Sequence, residues 1–151
     1  MNDDLIVNNV LSASTHIFGR TLNSARIHHF IIDGTNEPTE ELTPVEVFLS
    51  SVSSCAVQQV ERFAREEGIG LDRVEASIEG IRTHEDPSVF QSVSLRVDVF
   101  GPSQKDAEAL VTRFRGRCPL FRTLSKAVDV DVEVLSHSSE TQSAPTGGVT
   151  A

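Results

Sequence analysis

The stretch TPVEVFLSSVSSCAVQQVERFAREEG, residues 43–68, predicts one long helix with a cysteine inside it. Thr43 is the predicted N-cap and Pro44 the first helical residue, where its missing N–H costs nothing. Glu46 follows the cap by three residues and completes a capping box with Thr43. Gly68 suits a left-handed C-terminal cap because it has no Cβ. Apolar residues recur at helical spacing and predict one buried face, made of Val45, Phe48, Leu49, Val52, Ala56, Val60 and Phe63.

The surface of this predicted helix changes along its length. The first half has almost no charge and is rich in serine, at Ser50, Ser51, Ser53 and Ser54. Small residues on several faces predict that other elements pack closely around Cys55. The second half is polar and is expected to reach water, through Gln58, Gln59, Glu61, Arg62, Arg65, Glu66 and Glu67.

Composition indicates a soluble globular protein. The chain has 151 residues, 38% hydrophobic and 23% charged, and we expect a single domain over residues 1–136. No apolar run approaches the roughly 18 residues of a membrane span. Residues 1–4 lack the basic and apolar regions of a signal peptide, so a cytoplasmic protein without a membrane partner is expected. The net charge of −9 argues against broad nucleic-acid binding, which depends on neutralising phosphates.

The other elements follow from strand alternation, turn residues and caps. They are strands at 5–12, 15–22 and 25–33, a hairpin of strands at 73–84 and 88–101, a helix capped by Ser103, a short helix from Pro119, and a strand at 128–135. This order predicts an α+β fold, with a mostly antiparallel sheet packed on the long helix and a second helix. Residues 137–151 are small and polar and are expected to form a disordered tail.

Cys118 lies in the more suggestive local environment of the two cysteines. It precedes Pro119 at a predicted helix N-terminus, where the helix dipole favours a thiolate. A basic cluster surrounds it in sequence, made of Arg115, Arg117, Arg122 and Lys126. The alternative is a solvated basic helix with an incidental cysteine.

Cys55 is predicted to be mid-helix, where the dipole gives no help and burial raises a thiol's pKa. From spacing alone it is a core residue, and reactivity would require a cation supplied by tertiary structure. The two cysteines are 63 residues apart and show no CxxC or zinc-ligand spacing. The five histidines are scattered and are expected to be structural or exposed, so no metal site is predicted.

TPVEVFLSSVSSC, followed by RCPLFRTLSKAV at residues 117–128, resembles the OsmC/Ohr family of peroxide-handling thiol proteins. The shared pattern is a proline-containing helix start, a cysteine three turns in, and a second cysteine followed by proline. The resemblance covers about residues 14–136 and is closest to the less characterised OsmC-like branch.

The resemblance implies an intertwined homodimer with two active sites at the dimer interface. It implies that Cys55 attacks an organic hydroperoxide and becomes a sulfenic acid, and that Cys118 resolves it as a disulfide. An external dithiol, typically a lipoyl group, would then reduce the disulfide. No metal or bound organic cofactor is implied.

The family also uses an arginine and a glutamate at the site. The motif Gly19-Arg20-Thr21 matches the family's Gly-Arg-small motif, so the resemblance assigns the arginine to Arg20, with Arg26 in reserve. The family's glutamate directly follows the proline, where this chain has Val45. Glu46 is one residue later, a rotation of about 100° on a helix, and is a candidate for the site as well as for the capping box.

Three functions remain open from the sequence. The first is a Cys-based thiol peroxidase for organic hydroperoxides. The second is a non-enzymatic OsmC-like dimer that senses redox state or binds a small ligand, which Val45 in place of glutamate favours. The third is an unrelated thiol transferase with Cys118 as nucleophile, which depends on the basic cluster alone.

Overall fold

The computed structural model describes residues 5–139 of the chain. The chain divides into two compact units at the Phe48–Leu49 boundary. The first unit contains β1 (Leu11–Ser14), β2 (Thr21–Ala25) and β3 (His28–Ile32). These strands form an antiparallel sheet in the order β1-β2-β3. The single domain over residues 1–136 stays a prediction.

The strands of this first sheet begin later than the sequence pattern predicts. Residues 5–10 are outside any strand, and residues 15–20 form a turn, so the predicted strands at 5–12 and 15–22 are wrong over those parts. The turn depends on Gly19, whose φ is +82°. A side chain on Gly19 would collide with the carbonyl oxygen of Glu37. Local β-propensity is therefore overridden by a turn that only glycine fits.

The long helix forms as predicted. α1 (Pro44–Glu67) begins with Glu46 Oε2 accepting hydrogen bonds from Thr43 N and Thr43 Oγ1, both at 2.7 Å. It ends at Gly68, whose φ is +67°. The buried face is Val52, Ala56, Val60, Phe63 and Ala64. Phe48 was predicted on that face, but it is 43% exposed in the single chain.

The second unit contains β4 (Arg73–Ile81), β5 (Ser92–Phe100) and β6 (Val130–His137), in the order β4-β5-β6. β4 and β5 form the predicted antiparallel hairpin. β6 pairs with β5 in parallel. It extends through His137, the first residue of the predicted tail, whose Nε2 lies 2.7 Å from Asp98 Oδ1. The rest of the predicted disorder is a prediction for residues 140–151, which lie outside the described part of the chain.

Two further helices complete this unit. α2 (Gln104–Arg117) has the predicted cap, since Ser103 Oγ accepts a hydrogen bond from Asp106 N at 3.2 Å. α3 (Pro119–Leu124) follows directly. The core joins alternate residues of β5 to the apolar stripes of α1 and α2, and it includes Val93, Leu95, Val97, Val99, Val60, Phe63, Leu110 and Phe114. The fold is therefore α+β, as predicted. Between residues 5 and 139, no helix combines the length and hydropathy that a membrane span requires.

Candidate active site

Cys118 lies at the junction between α2 and α3. Its backbone N–H donates to Phe114 O at 2.8 Å and so closes α2. Its Sγ accepts a hydrogen bond from Phe121 N at 3.4 Å and so caps α3. Pro119 disfavours helical backbone at the preceding residue, and Cys118 accordingly has extended dihedrals, φ −73° and ψ 119°. The local sequence thus turns this side chain inward, where it is fully buried.

The two cysteines are brought together by the packing of these helices. Cys55 lies three turns into α1 and is half-buried, and Cys118 Sγ is 2.8 Å from Cys55 Sγ. Both thiols are free. Since the S–S bond is about 2.05 Å, the sulfurs are less than about 1 Å from bonding distance. The structure therefore holds the pair in contact before any oxidation.

Two polar residues on α1 act on the sulfur of Cys55. Gln59, one turn later, places Nε2 at 3.1 Å from Cys55 Sγ. Arg62, two turns later, favours the thiolate through its positive charge. The polar composition of this half of the helix predicts that both side chains face water. For Gln59 this prediction is wrong, because the residue is half-buried and its Oε1 is fully buried. Their sequence positions could have predicted these contacts. Gln59 and Arg62 follow Cys55 by four and seven residues, which places them on the same face of the helix.

Burial is the main influence on the acidity of Cys55. It raises the pKa of the thiol, and the neighbouring sulfur of Cys118 raises it further, to about 11. Gln59 and Arg62 oppose the shift. In the reduced single chain, Cys55 is therefore almost entirely a neutral thiol near pH 7, as its predicted mid-helix position implies.

The basic cluster next to Cys118 does not enclose the cysteine. Arg115, Arg117, Arg122 and Lys126 are all exposed, whereas Cys118 is fully buried. Arg115 lies over the Phe121 ring, 5.7 Å from its centroid. The basic cluster that suggested a transferase with Cys118 as nucleophile is therefore a feature of the exposed surface and does not surround the buried thiol.

Arg20, the predicted site arginine, is fixed in the first unit by two carboxylates. Its Nε is 2.7 Å from Asp33 Oδ1 and its Nη2 is 2.8 Å from Asp33 Oδ2. The same Nη2 is 2.6 Å from Glu40 Oε2. The sheet register explains the pairing, because Thr21 pairs with Ile32 and the next positions outward are Arg20 and Asp33.

Asp33 is itself held strongly as an anion. The hydrogen bonds from Arg20 lower the pKa of the buried Asp33 carboxyl to about 2, and the backbone N–H groups of Glu41 and Glu40 add to the effect. The same contacts raise the pKa of Arg20 above its ordinary value. Neither Asp33 nor Glu40 is among the site residues predicted from the sequence, because their contacts with Arg20 depend on the β2–β3 register and on the loop after β3.

The other two predicted candidates have different surroundings. Glu46 accepts its hydrogen bonds from Thr43, and these lower the pKa of its carboxyl. Its role at the site stays a prediction. Arg26 lies in the two-residue turn between β2 and β3, with φ +57°, and is exposed. Among residues 5–139, no three His, Cys, Asp or Glu side chains cluster in a way that would hold a metal ion.

A family model described as OsmC-like protein matches residues 34–133. This is well over half of the chain, and the protein therefore belongs to the OsmC-like family. The matched range includes both cysteines of the pair. It begins after Arg20, so the family match does not bear on that residue.

Individual relatives agree with this assignment. The chain is 28% identical over 92 residues to the organic hydroperoxide resistance protein OhrA of Bacillus subtilis, a match that spans 60% of this chain and 65% of that protein. A hypothetical protein from Aquifex aeolicus has a TM-score of 0.78 at 16% identity, covering 90% of this chain and 100% of that one. The organic hydroperoxide resistance protein OsmC from Legionella pneumophila has a TM-score of 0.69 at 19% identity, covering 88% and 99%. The structural likenesses show that the fold is OsmC-like.

Proposed function

We propose that this protein is a Cys-based thiol peroxidase that reduces organic hydroperoxides. The observation that carries the proposal is the 2.8 Å contact between Cys118 Sγ and Cys55 Sγ. The relative OhrA, named for organic hydroperoxide resistance, supports the choice of substrate class. Cys55 is assigned as the attacking cysteine because it is the more exposed of the two, while Cys118 is fully buried.

In the first step, the thiolate of Cys55 attacks the terminal oxygen of the hydroperoxide ROOH. An S–O bond forms and the O–O bond breaks, so the sulfur loses two electrons and becomes a sulfenic acid. The alkoxide RO⁻ takes up a proton and leaves as the alcohol. The sulfur that reacts is the one that Gln59 contacts.

In the second step, the sulfur of Cys118 attacks the sulfenic sulfur of Cys55. An S–S bond forms, and the hydroxyl group leaves with the proton of Cys118 as water. An external dithiol, such as a dihydrolipoyl group, then supplies two electrons and two protons and becomes a disulfide itself. We expect a cytoplasmic location, where reductants of this kind maintain thiols.

Arg20 is proposed as the cation that stabilises the thiolate and orients the peroxide. The match of Gly19-Arg20-Thr21 to the family motif supports this role. Asp33 and Glu40, which bond to the guanidinium, are proposed to fix its orientation. They would hold the arginine in place, as the glutamate does in the family. In this chain Val45 occupies the position of that glutamate.

A homodimer is part of the proposal. Several large apolar side chains of the first unit are open to water in the single chain, among them Ile6 at 94%, Phe18 at 94% and Ile27 at 85%. Exposure on this scale is typical of a surface that a partner covers. A second copy of the chain is the proposed partner, and sedimentation equilibrium should give twice the chain mass. A monomer at micromolar concentration would contradict this part.

The test is peroxide consumption with purified reduced protein, cumene hydroperoxide and dihydrolipoamide. We expect many turnovers for the wild type and none for Cys55→Ser. A matched control is Ser54→Ala, which changes an exposed neighbour on the same helix and should leave turnover intact. Equal consumption by wild type and Cys55→Ser would overturn the proposal.

A second candidate is a non-enzymatic dimer that senses redox state or binds a small ligand. It is favoured by the burial of Cys55, which contributes most to raising the thiol's pKa to about 11 and slows attack, because the thiolate is the nucleophile. A single slow oxidation without turnover in the presence of the dithiol would favour this function. Repeated turnover would exclude it as the main role.

A further inference from the structure

We propose that Gln59 is a catalytic residue, which donates a hydrogen bond to the sulfur of Cys55 and accepts one from the O–H group that the hydroperoxide brings to that sulfur. The inference rests on the proposed function, since the second part requires a peroxide substrate. It uses a side chain that touches the reacting atom directly.

The first part follows from the contact between Gln59 and Cys55. Nε2 is 3.1 Å from Cys55 Sγ, and the two residues are four apart on α1. A thiolate has no proton to give, so the amide must turn an N–H toward it. Hydrogen bonds to charged groups are stronger than neutral ones, and the contact therefore favours the thiolate over the thiol.

The second part follows from the other end of the same amide. Gln59 Oε1 is buried and has no hydrogen-bond partner among the described residues. A buried carbonyl oxygen without a partner is costly and therefore rare in folded proteins. Both amide atoms are bonded to one carbon, so Oε1 lies within about 2.5 Å of the nitrogen that contacts Cys55. It is thus an unpartnered acceptor on the same amide group that contacts the reacting sulfur.

The hydroperoxide supplies the donor that this oxygen lacks. In the first chemical step the terminal O–H of ROOH becomes the O–H of the Cys55 sulfenic acid, with the O–O bond broken and the alcohol ROH released. The same O–H group can donate to Gln59 Oε1 before and after the transfer. This contact would orient the terminal oxygen, rather than the alkyl-bearing one, toward the sulfur.

The experiment separates the two parts by using two reagents. In a Cys118→Ser background, which leaves one thiol, the rate constants of Cys55 with iodoacetamide and with cumene hydroperoxide are measured between pH 6 and 10. The variants are Gln59→Met, of similar length, and Gln59→Glu, of the same shape. Gln58→Met is the control, because Gln58 is the exposed neighbour on the same helix. Circular dichroism verifies that each variant folds.

We expect Gln59→Met to slow alkylation at pH 8 by about tenfold or more, as the loss of a hydrogen bond to a charged group predicts. Gln59→Glu should slow it further through charge repulsion, and Gln58→Met should change nothing. The reaction with the peroxide should slow by a larger factor than alkylation, because an acceptor is lost as well. The profile with iodoacetamide should also move to higher pH.

Unchanged alkylation in both Gln59 variants would overturn the first part. An equal loss with both reagents would overturn the second, since only the peroxide needs the acceptor. If the Cys118→Ser parent fails to react with peroxide, the proposed function and the second part both fall, while alkylation still decides the donor role. The two failures are therefore distinguishable.

Discussion

The sulfur of Cys118 lies 2.8 Å from the sulfur of Cys55, although the residues are 63 apart in sequence. This contact predicts what happens when the resolving thiol is removed. Cys118→Ser replaces the sulfur with a smaller oxygen, and the serine hydroxyl is a strong N-cap for α3 in place of Sγ. After one equivalent of cumene hydroperoxide, we expect this variant to retain a sulfenic acid that dimedone traps at Cys55, as read by peptide mass spectrometry. The wild type should give little dimedone adduct at Cys55. Equal labelling of the wild type and Cys118→Ser would argue against resolution by Cys118.

The pH dependence of Cys55 reactivity follows from its surroundings. Burial and the sulfur of Cys118 raise its pKa to about 11, so the thiolate fraction of the reduced protein is small at pH 7 and grows with pH. We expect the alkylation rate of Cys55 to rise about tenfold per pH unit from pH 7 to 9, without a plateau. Urea-unfolded protein is the reference. Its alkylation rate should stop rising once the pH passes the ordinary thiol pKa of about 8.5. A folded-state plateau below pH 8 would contradict this account.

The Arg20–Asp33 pair predicts a loss of stability in acid. The pKa of Asp33 is lowered to about 2 in the folded protein, against an ordinary value of 3.8. The unfolded chain therefore binds the proton more tightly, and the stabilisation is present above pH 4 and lost as the pH falls toward 2. In thermal melts at pH 6, 4, 3 and 2, Asp33→Asn should melt at a lower temperature than the wild type. This difference in melting temperature should be largest at pH 6 and should shrink toward pH 2. A difference that is constant with pH would show that the carboxylate charge is not the cause.

Asp33 and Glu46 are predicted to affect activity differently. Glu46 accepts from Thr43 at the start of α1, whereas Asp33 holds the guanidinium of Arg20 through two hydrogen bonds. Glu46→Gln should lower the melting temperature by a few degrees and leave kcat/KM for cumene hydroperoxide within about threefold, because a lost cap is a small, local effect. Asp33→Asn should lower kcat/KM by about tenfold or more, because a misplaced orienting group is costly to catalysis.

The reverse order, with Glu46→Gln the more damaging variant for kcat/KM, would return the family's carboxylate role to Glu46. Arg20→Lys is the companion variant. A lysine keeps the charge but cannot make the two-pronged contact that Asp33 receives, so it should resemble Asp33→Asn in kcat/KM.

The helical parts of the fold were predictable because their signals are local. Thr43, Glu46 and Gly68 define the ends of α1 within the sequence itself, and Ser103 defines the start of α2. The start of β2 was not predictable in this way. It depends on a turn in which Gly19 fits against Glu37, and that residue is 18 positions away.

The site was predictable only in part, for a similar reason. Cys55 and Cys118 could be named from motifs, but their contact depends on how α1 packs against the α2–α3 junction. Helical spacing places Gln59 on the same face of α1 as Cys55. The burial of its Oε1 depends on tertiary packing, which spacing alone does not reveal. The partner of Arg20 required the register of the β2–β3 hairpin, which is set by a two-residue turn at Arg26.

The proposed reaction oxidises one Cys55–Cys118 pair for each hydroperoxide molecule that is reduced. The most direct measurement adds one equivalent of cumene hydroperoxide to the fully reduced protein at pH 8, then counts cumyl alcohol and free thiols and maps the peptides. We expect one equivalent of alcohol, the loss of both thiols, and a single peptide pair joined through Cys55 and Cys118. Alcohol formation without that crosslink, or intact thiols with unreacted peroxide, would contradict it.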